Sequence, residues 1–86
     1  MFDRPITQEF LDFCGYVWNE LQHADEKHGT WANERLVPCS WKVVDEASEV
    51  VSAAKEGDIA SEHGIRRESV QVAVTAYKMF RRVANE

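Results

Sequence analysis

The segment Ser40-Trp41-Lys42-Val43-Val44-Asp45-Glu46-Ala47-Ser48-Glu49-Val50-Val51-Ser52-Ala53-Ala54-Lys55-Glu56-Gly57 reads as one amphipathic helix. At roughly 100° per residue, Val43, Val44, Ala47, Val50, Val51 and Ala54 fall on one side. Lys42, Asp45, Glu46, Glu49, Ser52 and Glu56 fall on the other. Ser40 after Pro38 is the expected N-cap, and Gly57 is a good residue to follow the last turn. The polar side has a chemical peculiarity. Glu46–Glu49 and Asp45–Glu49 are like-charge pairs at helical-neighbour spacing, each costing a few tenths of a kcal/mol. Lys42 is the only cation on that side, and it precedes Glu46, the weaker orientation. A solvated structural face tends to alternate its signs; a cation site gathers them in this way.

Working outward, Thr7 is a serviceable cap for a first helix running to about Asp25. Its buried stripe is expected at Phe10, Phe13, Val17, Leu21 and Ala24, with Leu11, Cys14 and Trp18 as a second apolar row. Lys27-His28-Gly29-Thr30-Trp31 opens a connection expected to reach Pro38, and loops of about a dozen residues tend to be functional. Asp58 to Gly64 reads as a short connection. A last helix from near Ile65 to about Ala84 is apolar over more than half its circumference: Val70, Val72, Ala73, Val74, Ala76, Tyr77, Met79, Phe80 and Val83. Glu68, Gln71, Thr75, Lys78 and Arg82 form its narrow polar strip. Three helices with so much apolar surface predict an all-α fold whose four-helix-bundle core is completed by homo-oligomerisation, as a dimer or tetramer.

At 86 residues the chain makes one domain with a thin core of its own. Its 44% hydrophobic and 29% charged content is that of an ordinary globular protein. No apolar run approaches a membrane span, and the N-terminus lacks a signal-peptide pattern, which points to a cytoplasmic protein. Cys14 and Cys39 have no metal-ligand spacing and are expected reduced and partly buried, while His23, His28 and His63 make no zinc pair. Residues 1–64 carry 5 Lys/Arg against 13 Asp/Glu, and residues 65–86 carry 5 against 2, so the net charge of −5 is unevenly spread. An acidic chain of this kind argues against nucleic-acid binding by backbone attraction.

Mg²⁺ prefers oxygen ligands and typically takes a few carboxylates plus substrate phosphates. Glu46 and Glu49 supply two oxygens from one helix. Glu68 and Gln71 offer a matching i, i+3 pair on another, so antiparallel packing would converge four donors. The spacing Glu46-x-x-Glu49, 18 residues, Glu68-x-x-Gln71 resembles the signature of the all-α nucleoside triphosphate pyrophosphohydrolases, the MazG-like superfamily. Asp45-Glu46-Ala47-Ser48-Glu49-Val50 is similar to that family's acidic run, and Glu68-Ser69-Val70-Gln71-Val72-Ala73 to an E-L-x-Q-V-A form in small members. Lys27-His28-Gly29 resembles an element ahead of the motif. The likeness covers roughly residues 27–76.

The resemblance implies Mg²⁺, or Mn²⁺ in its place, held by Glu46, Glu49 and Glu68, with Gln71 standing where the family usually has Asp. It also implies hydrolysis of a nucleoside triphosphate between its α and β phosphates. Asp45 is a candidate acid or base beside the catalytic Glu46 and Glu49, and Lys27, His28, Trp31 and Lys42 are candidate substrate contacts. Trp31 also reads as a cap on the core, and Trp18 and Trp41 as packing residues; Arg66, Arg67, Lys78, Arg81 and Arg82 are cations able to contact phosphate, with Arg81 and Arg82 better read as serving the helix dipole. The rival reading is a non-catalytic, oligomeric helical interaction module whose acidic face meets a basic partner. A neutral amide at position 71 favours it.

Overall fold

In a computed structural model the described residues are 4–84, and they form three helices and no strand: α1 (Gln8–His28), α2 (Leu36–Glu56) and α3 (Ile65–Ala84). None is long and apolar enough to cross a membrane.

Thr7 caps α1 as its sequence suggests, its hydroxyl accepting the Phe10 N–H at 3.2 Å. The helix then runs past Asp25, so Lys27 and His28 form its last turn instead of opening the loop. Gly29, at φ 74°, ends it and donates its N–H to Asp25. Cations in a last turn complement the helix dipole, which accounts for the extension. The following connection is correspondingly short.

α2 begins four residues before the expected Ser40. Pro38 lies inside its first turn, where the missing N–H is not needed and the fixed φ is already helical. Ser40 is not the cap: its hydroxyl donates to the Val37 carbonyl at 2.6 Å. Arg35 occupies the cap position without a side-chain bond. The C-terminus closes on left-handed Gly57, whose N–H bonds to Ala54 while that of Asp58 reaches Ala53.

The 58–64 connection folds back tightly. Asp58 accepts from the Ser61 N–H and hydroxyl, and its carbonyl receives the Ile65 N–H at 3.0 Å. Gly64 is buried here, where a Cβ would stand 2.8 Å from the Ile59 carbonyl group. Ser61 holds the Asp58 carboxyl below its ordinary range.

α3 is the shared spine. α1 and α2 both pack on it, but not on each other. The α1 side is apolar: Leu21, Val70 and Val74 are buried, with Phe13, Val17 and Ala24 half-buried against them. Of the expected stripe only Phe10, one turn upstream of Phe13, stays outside this core and exposed. Arg81 clamps Asp25 with two bonds of 2.9 and 3.0 Å, holding that carboxyl below its usual range, and Arg67 pairs with Glu20 at 3.1 Å. Arg82 donates to the Glu34 carbonyl.

The α2 side is different. The two helices run antiparallel, with Asp58 beside Ile65 at the turn and Lys42 and Lys78 meeting on Trp31 at the far end. Here Glu68 and Lys78 are buried and Gln71 and Thr75 half-buried, so the polar strip of α3 faces inward. On α2, Cys39, Val43, Glu46, Val50 and Ala53 are buried or half-buried, whereas Val44, Ala47, Val51 and Ala54 are exposed. Trp18 and Trp41, expected to pack, are 58% and 62% exposed, and Cys14 is exposed where partial burial was expected. The expected apolar side of α2 is thus split: Val43 and Val50 turn inward with Glu46 from the expected polar side, because periodicity carries no information on which face meets a neighbour within the same chain.

The chain is therefore an open layer, 36 × 35 × 23 Å, with a radius of gyration of 14.1 Å. A compact chain of this length would measure about 12 Å.

Candidate metal centre

The turn formed by Asp58, Ser61 and Gly64 sets the start of α3, and Glu68 follows one helical turn later, its N–H donated to the Gly64 carbonyl at 2.9 Å. Its side chain therefore projects from the first turns of α3 across to α2. There it meets Glu46 and Glu49, which share a face because they are three residues apart. One carboxylate oxygen from each of the three lies within 4.8 Å of the others.

Glu46 is half-buried, Glu49 exposed and Glu68 only 5% exposed. Such convergence is electrostatically expensive. Burial, followed by the nearby charges of Glu49, Glu68 and Asp45, raises the Glu46 carboxyl to about 7. Burial and Glu49 likewise push Glu68 up, while His63 pulls it partly back. Its Oε1 lies 3.6 Å from His63 Nδ1, and its Oε2 is buried without any hydrogen-bond partner. Buried polar atoms are rarely left so, because the desolvation of the group is then uncompensated. A divalent cation among the three carboxylates would relieve both the repulsion and the orphaned oxygen.

The fourth anticipated donor is also present: Gln71 lines the same hollow as Glu46, Glu49 and Glu68. Glu62, His63 and Arg67 complete the lining, and the first two, from the turn before α3, were not foreseen as site residues. The only signal for them is their position, within six residues of Glu68 at a helix start.

A second cavity of about 290 Å³ continues the cleft away from the turn, lined by His28, Trp31, Lys42, Asp45, Glu46, Gln71, Thr75 and Lys78, among others. It gathers three of the four candidate substrate contacts. Lys27 does not belong to its lining; it is exposed on the last turn of α1. Trp31 is buried, as the capping alternative had it, and both Lys42 and Lys78 lie over its ring, at 5.5 and 4.8 Å from the centroid.

Compared with known proteins, the chain matches no family model, no curated protein and no solved structure.

Proposed function

We propose that this chain is a Mg²⁺-dependent nucleoside triphosphate pyrophosphohydrolase, with Mn²⁺ able to replace Mg²⁺. The observation that carries the reading is the orphaned, buried Oε2 of Glu68 beside two further carboxylates. A partner-binding acidic face, the rival reading, calls for exposed charges that a basic surface can reach, and Glu68 is not exposed. The resemblance of Glu46-x-x-Glu49 and Glu68-x-x-Gln71 to the MazG-like signature supplies the reaction class.

Glu46, Glu49 and Glu68 would hold the cation, with the Gln71 amide oxygen as a neutral fourth donor. When bound, Mg²⁺ supplies charge neutralisation of the triphosphate and polarisation of the phosphoryl group. The chain does the rest. The cleft between α2 and α3 orients the polyphosphate. Water adds to the α-phosphorus, the bond from that phosphorus to the α,β-bridging oxygen breaks, and that oxygen leaves with pyrophosphate. The proton released by the water is taken by a carboxylate at the mouth of the site. Glu49 is the exposed member of the cluster, and Asp45 stands beside it on the same face. The products are a nucleoside monophosphate and pyrophosphate.

The working unit is a homo-oligomer. The chain exposes 6819 Å², where a compact monomer of its 9.9 kDa mass would expose about 5,200 Å². The excess, roughly 1,600 Å² per chain, is the area an obligate interface buries. The apolar row Val44, Ala47, Val51 and Ala54 and the two exposed tryptophans give it a chemical reason to be covered. Light scattering that returns a folded 9.9 kDa monomer at micromolar concentration would exclude this assembly.

Two measurements test the function. Thermal melting in millimolar Mg²⁺ against Na⁺ of equal ionic strength should show stabilisation by Mg²⁺ alone, because a ligand of the folded state raises stability by mass action. A screen of nucleoside triphosphates scored by pyrophosphate release should then find a substrate. Equal melting in both salts, with no pyrophosphate released, would leave the interaction module standing.

A further inference from the structure

The cleft has an electropositive end that the metal centre does not explain. Lys78 is 3% exposed, and its ammonium carries three donors. The Gly29 carbonyl accepts one of them at 3.1 Å. Asp25 is the obvious counter-charge, yet its Oδ1 lies 3.8 Å away, and both its carboxylate oxygens already accept bonds from Arg81. Lys78 is thus a buried cation with one hydrogen-bond acceptor, and burial lowers its affinity for the proton. A second cation, Lys42, approaches the same Trp31 ring from α2. It makes no ion pair within 4 Å among the described residues. Both lysines, with His28, line the 290 Å³ cavity, whose opposite wall holds Asp45, Glu46 and Gln71.

Two ammonium groups directed at one buried ring repel each other, and the buried one, Lys78, also loses hydration, a cost that the cation–π contacts offset only in part. An anion between them would repair both losses. Lys42 stands four residues before Glu46 on α2, about 6 Å along the axis, so an anion here would lie next to the carboxylate cluster.

We propose that Lys42 and Lys78, braced on Trp31, form a phosphate seat at the far end of the cleft, and that it receives the pyrophosphate half of the substrate. The assignment of substrate rests on the reading of the glutamates given above; the seat itself does not. Carboxylates at one end and ammonium groups at the other orient a polyphosphate in one direction, so that the leaving group, which gains negative charge as the bond breaks, departs towards the cations.

The test is calorimetric binding of inorganic pyrophosphate to the full chain in metal-stripped buffer, set beside Mg²⁺ melting shifts on the same samples. Wild type should bind pyrophosphate without any divalent ion. Lys42→Met and Lys78→Met should each weaken it by about tenfold or more, the effect of losing one charge-assisted bond. Glu49→Gln should bind pyrophosphate no more weakly than wild type while losing its Mg²⁺ response. Lys42 is exposed on α2, so Lys42→Met remains informative if Lys78→Met fails to fold. Wild-type affinity in Lys42→Met, or no pyrophosphate binding by wild type, overturns the seat. Wild type that binds pyrophosphate but melts no higher in Mg²⁺ than in Na⁺ of equal ionic strength overturns the metal reading and leaves the seat in place.

Discussion

α3 makes two interfaces of opposite character. Against α1 it presents Val70 and Val74 to Leu21, Phe13 and Val17, and the charged groups there, Arg81–Asp25 and Arg67–Glu20, are paired at hydrogen-bond distance. Against α2 it presents Glu68, Gln71, Thr75 and Lys78, with two buried charges poorly matched. The first interface pairs its charges and buries apolar surface. The second buries Glu68 and Lys78 at a cost in the absence of ligand, and such unmatched charges mark candidate binding clefts.

The contrast breaks most readily at the apolar interface. Leu21→Ala removes a buried side chain from the small core and should cost about 2–5 kcal/mol in urea unfolding, with Mg²⁺ shifting whatever folded fraction remains. A loss below 1 kcal/mol would mean that this interface is not the one that stabilises the chain. Gly64→Ala comes next. The added methyl meets backbone at 2.8 Å, so the turn must move, at a cost of about 1–3 kcal/mol. Because Glu68 starts from that turn, its Mg²⁺ response should fall as well; a tolerated alanine with full response would show that the turn does not position Glu68.

The polar interface should answer with the opposite sign. Glu68→Gln removes a buried charge whose Oε2 has no partner, so the metal-free protein should melt higher, by about 1 kcal/mol, and should no longer be stabilised by Mg²⁺. A lower melting temperature without metal would make Glu68 structural. pH gives a related reading. The Glu46 and Glu68 carboxyls are raised in the folded state, Glu46 to about 7, so their protonated forms are favoured by folding. That stability is present below the unfolded value of 4.5 and disappears as pH rises through about 7. Metal-free melting should therefore fall between pH 5 and 8, by a few degrees, and Glu46→Gln should flatten the slope. A melting temperature that rises over this range contradicts the cluster. The smallest effect is expected at Gln71→Asp: a charged fourth oxygen should tighten Mg²⁺ and cost the metal-free protein a few tenths of a kcal/mol. Silence in both, for Gln71→Asp and Gln71→Leu, would remove Gln71 from the site.

Much of this was readable in the residues. Thr7, Gly57, Ile65 and Ala84 marked helix ends because caps and periodicity act locally. The three glutamates and Gln71 were visible because i, i+3 spacing on two helices survives any packing that makes them antiparallel. Local signals also misled. Pro38 read as a barrier, although a first turn accepts it, and Lys27-His28 read as loop because Gly29 follows. What no local pattern carries is pairing at a distance. Asp25 with Arg81 lies 56 positions apart, and the burial of Lys78 follows from Trp31 folding back from another connection. The inward turn of the α3 polar strip had the same source: helical phase tells which residues travel together, not which neighbour receives them.

The independence of α1 and α2 has a kinetic consequence. The three glutamates and Gln71 belong to one hairpin, closed by a connection from Gly57 to Gly64, whereas α1 reaches α3 through contacts such as Glu20–Arg67, 47 positions apart. Closing the longer loop costs about 1.5 kcal/mol more chain entropy. Low contact order favours the hairpin in time as well. The glutamates should therefore meet early in folding, before the apolar spine has been covered by α1. A cation present during refolding would then act on the hairpin's own nucleation, accelerating the first step instead of merely slowing the reverse one.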